Sequence, residues 1–226
     1  MKKRLIALLF TGLLAATSLA HAAPAYVISE FQLTDADSVK PYRAQMPDTL
    51  KAHGGQFLAR GGKAERKEGI APMGGVVIIK FDSPEQAKNW YNSDAYQSIK
   101  PIRQRSGNTR SILVEGLDEQ AGSISRNGTP HAYYIAEFEP TDSQGMRPYS
   151  EKVESLFAPY SGRYIVRGKS AEEVEGFGSQ GRMVVIEFDS LQQAQNWYNS
   201  PEYAELRKIR WQSGNTRAMI VEGVAQ

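Results

Sequence analysis

Residues 76–93 read VVIIKFDSPEQAKNWYNS, and residues 183–200 read MVVIEFDSLQQAQNWYNS. Each stretch opens with the two-residue alternation of a strand: Val77, Ile79 and Phe81 share one face, and Val76, Ile78 and Lys80 the other. Ser83 with Gln86, and Ser190 with Gln193, then form capping boxes that open a helix. In the shared NWYNS, Asn92 suits a left-handed C′ position, while Ser93 and Ser200 suit the N-cap of a short following helix. Pro201 after Ser200 states that cap more plainly. The stretch therefore reads as strand, helix, break, helix, written twice.

Extending the comparison outward covers almost the whole chain. Residues 25–116 lie over 132–223 without a gap, and 40 of the 92 positions are identical. The chain divides into a leader (1–22), a first repeat (23–116), a Gly/Ser/Asn/Pro-containing linker (117–131) and a second repeat (132–226). Each repeat predicts the order β-α-β-β-α-β. AYVISEF or AYYIAEF is the first strand, and Thr34-Asp35 or Thr141-Asp142 supplies cap chemistry for a helix. Gly54-Gly55 ends that helix in the first copy. QFLARG or RYIVRG is the second strand, and a Gly-rich charged excursion leads to the third. TRSILVEG or TRAMIVEG is the last. This is an α+β, ferredoxin-like split βαβ, with both helices on one face of an antiparallel sheet. The bare sheet face must be covered, and the tethered sister repeat can cover it. The predicted architecture is one intrachain, pseudo-dimeric α/β barrel in a monomer, with independent docking of the repeats as the alternative.

The leader carries Lys2, Lys3 and Arg4, then a mostly apolar run, then Ala20-His21-Ala22. It predicts a secretory signal peptide cut after Ala22 and a periplasmic protein, with no membrane association after cleavage. Its removal takes the formal charge from +2 to −1, which leaves no basic surface for nucleic acid. The chain has no Cys, so disulfides, thiolate ligands and a Cys-linked lipid anchor are excluded.

The series YVISEF, GGQFLARGG, VVIIKFDSPEQAKNWYNSDAY and ILVEG resembles the DUF1330 family of the dimeric α/β-barrel superfamily. The second copy, with SGRYIVRGK, MVVIEFDSLQQAQNWYNSPEY and MIVEG, resembles it equally. The resemblance implies a ferredoxin-like barrel. The wider superfamily includes cofactor-independent monooxygenases, haem-dependent dismutases and peroxidases, isomerase-like enzymes and plain binding proteins, so the resemblance leaves the activity open.

The residues offer neither a metal nor a nucleophile site. His53 and His131 are the only histidines beyond the leader; each reads as a lone exposed residue, with no ligand partner for a metal or haem. No nucleophile motif or phosphate loop is present, and no cofactor is expected. Strand alternation gives a different set. Tyr26, Ile28 and Glu30 share a face, as do Tyr133, Ile135 and Glu137. With strands one and three adjacent and parallel, Glu30 would approach Lys80, and Glu137 would approach Glu187. Arg60 and Arg167 end the neighbouring strand and point the same way. On this reading Glu30, Lys80, Arg60, Tyr26 and Tyr133 line a ligand site between the sheets. Glu137 and Glu187 are its candidate acid or base, and Arg167 holds an anionic group. The competing reading leaves these charges solvated at strand ends. Trp90 and Trp197 read as core, Trp211 as a rim or incidental aromatic, and the Arg103/Arg210 and Arg110/Arg217 pairs as solvated or helix-end residues. The functional expectation is binding of a small organic ligand between the sheets, with proton transfer or cofactor-free oxidation open. A non-catalytic envelope protein acting through its surface is the alternative.

Overall fold

The computed structural model describes residues 22–61, 64–118 and 128–225. The predicted leader, apart from Ala22, and most of the linker lie outside them. The first repeat runs β1 (Ala25–Leu33), α1 (Lys40–Lys51), β2 (Gln56–Arg60), β3 (Ala64–Glu68), β4 (Gly75–Phe81), α2 (Pro84–Tyr91), α3 (Asp94–Arg105) and β5 (Gly107–Glu115). The second runs β6 (Ala132–Pro140), α4 (Arg147–Lys152), β7 (Arg163–Lys169), β8 (Glu172–Glu175), β9 (Arg182–Phe188), α5 (Leu191–Asn199), α6 (Pro201–Ser213) and β10 (Gly214–Glu222). Two 3-10 turns, Val153–Leu156 and Ala158–Tyr160, stand where the end of α1 stands in the first copy.

The predicted α+β barrel is present, with one addition. The charged excursions form β3 and β8, and each crosses to the other repeat's sheet. The sheets are ordered β2-β4-β1-β5-β8 and β3-β10-β6-β9-β7. Gly69 and Gly176 follow the exchanged strands at φ +63° and +85°, and a Cβ on them would lie 2.7 and 2.6 Å from the Thr216 and Thr109 carbonyl oxygens. Only glycine combines that conformation with so close an approach. Further bonds tie the halves at the far edges: Leu117 N–H donates to the Ile165 carbonyl, and Val224 N–H to that of Leu58, both at 2.9 Å.

All sheet pairings are antiparallel, so the parallel placement expected for the first and third predicted strands is corrected. Glu30 lies opposite Val76, and Lys80 opposite Tyr26, at the other end of the ladder. Likewise Glu137 faces Met183, and Glu187 faces Tyr133. Antiparallel register reverses which ends meet, so neither expected pair forms.

The assignment of faces is correct for the first and third predicted strands. Tyr26, Ile28, Val76, Ile78, Ile112 and Val114 meet Tyr133, Ile135, Met183, Val185, Met219 and Val221 in one buried cluster. Each such aliphatic side chain contributes about 1.5–3 kcal/mol by leaving water. The seam between the sheets is thus filled by side chains of both repeats. The opposite faces carry the helices, over separate clusters centred on Trp90 and Trp197.

The shared pentapeptide works as a joint. Ser93 Oγ donates to the Trp90 carbonyl at 2.8 Å, closing α2, and accepts the Tyr96 N–H at 3.3 Å, opening α3. Ser200 does the same between Trp197 and Tyr203 at 2.9 and 3.3 Å. Asn92 is right-handed, at φ −92°, not left-handed as expected, because the serine closes the turn without a chain reversal. The Asp35 carboxylate accepts the Asp37 and Ser38 N–H groups at 3.0 Å, capping a turn ahead of α1.

Candidate functional site

A cavity of about 510 Å³ lies between the helix layer and the sheet of the first repeat, on the face of β1 and β4 turned away from the seam. Val27 and Ser29 of β1, Val77 and Ile79 of β4 and Ser111 of β5 form its floor. Such a floor follows from strand alternation, since the intervening residues are committed to the seam. Tyr42 and Met46 of α1, Phe57 of β2, Trp90 of α2 and Tyr96 of α3 form the walls. The Ser29 and Ser111 hydroxyls meet at 2.7 Å across the floor. The Trp90 indole N–H donates to the Thr49 hydroxyl at 3.2 Å, which ties that wall to α1.

Among the described residues of the lining, Arg103 is the buried charge. Its guanidinium reaches Glu175 on the exchanged β8 at 2.6 Å, as well as the Thr109 hydroxyl, and lies 3.4 Å from the Tyr96 hydroxyl. Burial works against the Glu175 carboxylate, but the hydrogen bond and charge of Arg103 outweigh it and hold the carboxyl below its usual range. Burial raises the Tyr42 phenol well above the usual range, with the nearby Tyr96 adding to it. Tyr42 is therefore neutral and supplies no tyrosinate. Among the described residues the lining has no His or Cys, so it does not fit an axial nitrogen or thiolate ligand for a haem iron. Among the same residues, no group of three His, Cys, Asp or Glu is placed to hold a metal.

The equivalent space in the second repeat is filled. Tyr134 stands where Val27 stands, Phe157 for Leu50 and Tyr164 for Phe57. The Tyr134 ring lies 5.1 Å from Trp197 and is 2 % exposed. Phe157 packs against both Trp197 and Tyr164, at 5.7 and 4.9 Å. Burial pushes the Tyr164 phenol up to about 12.

The predicted site residues separate into several places. Tyr26 and Tyr133 belong to the seam core. Glu30 and Glu137 come together at one end of the barrel in a four-charge cluster. Arg110 bonds Glu30 at 2.9 Å and Glu137 at 2.7 Å, and Arg217 bonds the same two at 2.6 and 2.8 Å. The loops after the exchanged strands complete it, with Met73 N–H donating to Glu30 and Gln180 N–H to Glu137, each at 2.8 Å. Burial opposes ionisation of Glu30, but the bond from Arg217 prevails and its carboxyl sits below the usual range. Glu187 lies at the other end, 2.9 Å from His131 Nδ1, 3.2 Å from Arg163 and 3.2 Å from the Tyr133 hydroxyl. Lys80 is half-buried opposite Tyr26 and Gln56.

Arg60 and Arg167 do not point into the seam, because a bulge after Phe57 and after Tyr164 shifts the face their strands present. Arg60 lies at the cavity rim over the Phe57 ring, and Arg167 pairs with Glu154 at 2.7 Å. His131 is 5 % exposed, not solvated. Arg103, Arg110 and Arg210 are buried ion-pair partners, and Arg217 is nearly so. Their recurrence at the repeat offset, together with Glu68 and Glu175, was the available signal. Trp211 is half exposed and donates to Glu68 at 2.7 Å.

The model of the family described as "Domain of unknown function (DUF1330)" matches residues 24–117 and again 131–224. The chain belongs to the DUF1330 family. It carries two tandem DUF1330 units; among the described residues the first holds the open cavity and the second has packed aromatic side chains in the equivalent place. Similar folds occur among solved structures. An anthrone oxidase-like protein is 14% identical with a TM-score of 0.51, over 89% of this chain and 92% of that one. A chlorite dismutase from Candidatus Nitrospira defluvii, in complex with imidazole, is 10% identical with a TM-score of 0.51, over 91% and 92%. At these identities the likeness is one of fold. None of the curated proteins matches the chain in sequence.

Proposed function

We propose that this tandem DUF1330 protein is exported and binds one small organic molecule per chain, in the cavity of the first repeat. The carrying observation is the exchange of Val27 for Tyr134 at equivalent strand positions, which leaves about 510 Å³ open in one copy and a buried ring in the other. That volume lies within the usual range for ligand sites, and an aromatic wall with a few fixed polar groups is their usual chemistry. The filled seam directs this reading to the helix side of the sheet and away from the inter-sheet space.

Calorimetric titration with 2-naphthol tests it. A stoichiometry near one, abolished in Val27→Tyr, is the expected result; binding that survives this substitution would locate the site elsewhere. Tyr is already accommodated at that position by the sister repeat, so the variant is expected to fold. Export is tested separately by the mass of the protein recovered from a periplasmic fraction, which should correspond to a chain beginning at residue 23.

A further inference from the structure

The rim of the cavity differs from its interior. Arg43 is exposed on α1, and the Arg60 guanidinium stacks 4.6 Å from the Phe57 ring while donating to the Arg43 carbonyl at 3.3 Å. Both side chains line the opening, and among the described residues neither has a carboxylate within ion-pair distance. Deeper in, the charge of Arg103 is already matched by Glu175. The net positive potential of the site therefore sits at its mouth. An anion held there keeps part of its hydration, which avoids most of the cost of burying a charge.

The second repeat is an internal control for this arrangement. Ser150 stands where Arg43 stands, and Glu154, in the place of Pro47, neutralises Arg167, the counterpart of Arg60. Ala136 and Ala218 replace the floor hydroxyls of Ser29 and Ser111. The copy with the aromatic cluster thus has neither the exposed cation pair nor the floor hydroxyls. If the rim arginines served only solubility or the fold, nothing would link them to the open space.

We infer that the ligand is an apolar carboxylate whose ring or chain enters the aromatic cavity while its carboxylate stays between Arg43 and Arg60. This inference rests on the cavity reading above and adds the chemical class. Isothermal titration with 2-naphthoate and its neutral analogue 2-naphthamide separates the two. The intact protein should bind naphthoate about tenfold more tightly than naphthamide, the scale expected for two charge-assisted contacts at a partly exposed site. That preference should collapse to about onefold in Arg43→Ser/Arg60→Gln, whose fold is checked by circular dichroism, and should shrink in about 0.5 M salt. Equal affinities in the intact protein, or a preference that persists in the double variant, would overturn the carboxylate assignment and leave the cavity reading in place. Binding of both probes by Val27→Tyr, or of neither by the intact protein at about millimolar concentration, would overturn both.

Discussion

The two repeats have the same order of strands, apolar seam faces and the same serine joints, yet one holds an open cavity and the other a packed aromatic cluster. On the helix-facing side the second copy has Tyr134 for Val27, Phe157 for Leu50 and Tyr164 for Phe57, and two 3-10 turns in place of the end of α1. The seam faces of the same strands remain apolar in both copies, because each repeat is the other's core.

The largest expected effect comes from what the copies still share. Glu68 and Glu175 each cross to the other repeat and meet a buried arginine, at 2.5 Å to Arg210 and 2.6 Å to Arg103. Glu68→Gln and Glu175→Gln should each lower unfolding free energy by about 3 kcal/mol in urea titration, since each leaves a buried guanidinium unpaired. A much smaller loss in only one of them would show that the exchanged strands are not equivalent. Acid acts on the same groups. Hydrogen bonds and charge from arginines hold Glu30, Glu68 and Glu175 below the ordinary glutamate value of about 4.3 despite burial. Their stabilisation is complete above that value and is lost as pH falls through the lower folded values. The melting temperature should therefore hold from neutral pH to about 5 and decline below about 4.5, less steeply in Glu175→Gln.

Tyr134→Val comes next. Opening the second repeat should cost about 3 kcal/mol, typical of emptying a core site, and a crystal structure should show new space beside Trp197. Collapse of the surroundings onto the gap would show that Phe157 and Tyr164 suffice to keep it closed. Ser93→Ala and Ser200→Ala should cost about 1 kcal/mol each as lost caps. The loss should be greater at Ser200, which is 5 % exposed. Val27→Tyr should have the smallest thermodynamic effect, a gain of up to about 1 kcal/mol from added apolar burial; a clear loss would mean that the first cavity is shaped against such a ring.

Much of the fold was legible because it rests on local rules. The Ser-x-x-Gln boxes open helices α2 and α5 at Ser83 and Ser190, and alternation in β1, β4, β6 and β9 puts the named residues in the seam. The charged residues were less legible. Arg110, Arg217, Arg103 and Arg210 look solvated in sequence because their carboxylates come from the other repeat or from a neighbouring strand distant in the chain. The stretches AERKE and EEVE look like loop because the strands they pair with, β10 and β5, lie in the other copy. His131 looks isolated because Glu187, 56 residues away, is brought to it only by the β6–β9 ladder within the same repeat.

The sequence alone therefore determined the duplication, the order of most elements, the helix joints and the faces that β1, β4, β6 and β9 give to the core, since caps and alternation act within a few residues. Tertiary structure decided the exchange of β3 and β8, the pairing of Glu30 and Glu137 with arginines from both repeats, and the location of the open space. Those features depend on antiparallel register, a bulge in β2 and side-chain volumes meeting across elements far apart in the chain. A valine at position 27 and a tyrosine at position 134 are both acceptable strand residues; only the packing around them makes one a cavity floor and the other its plug.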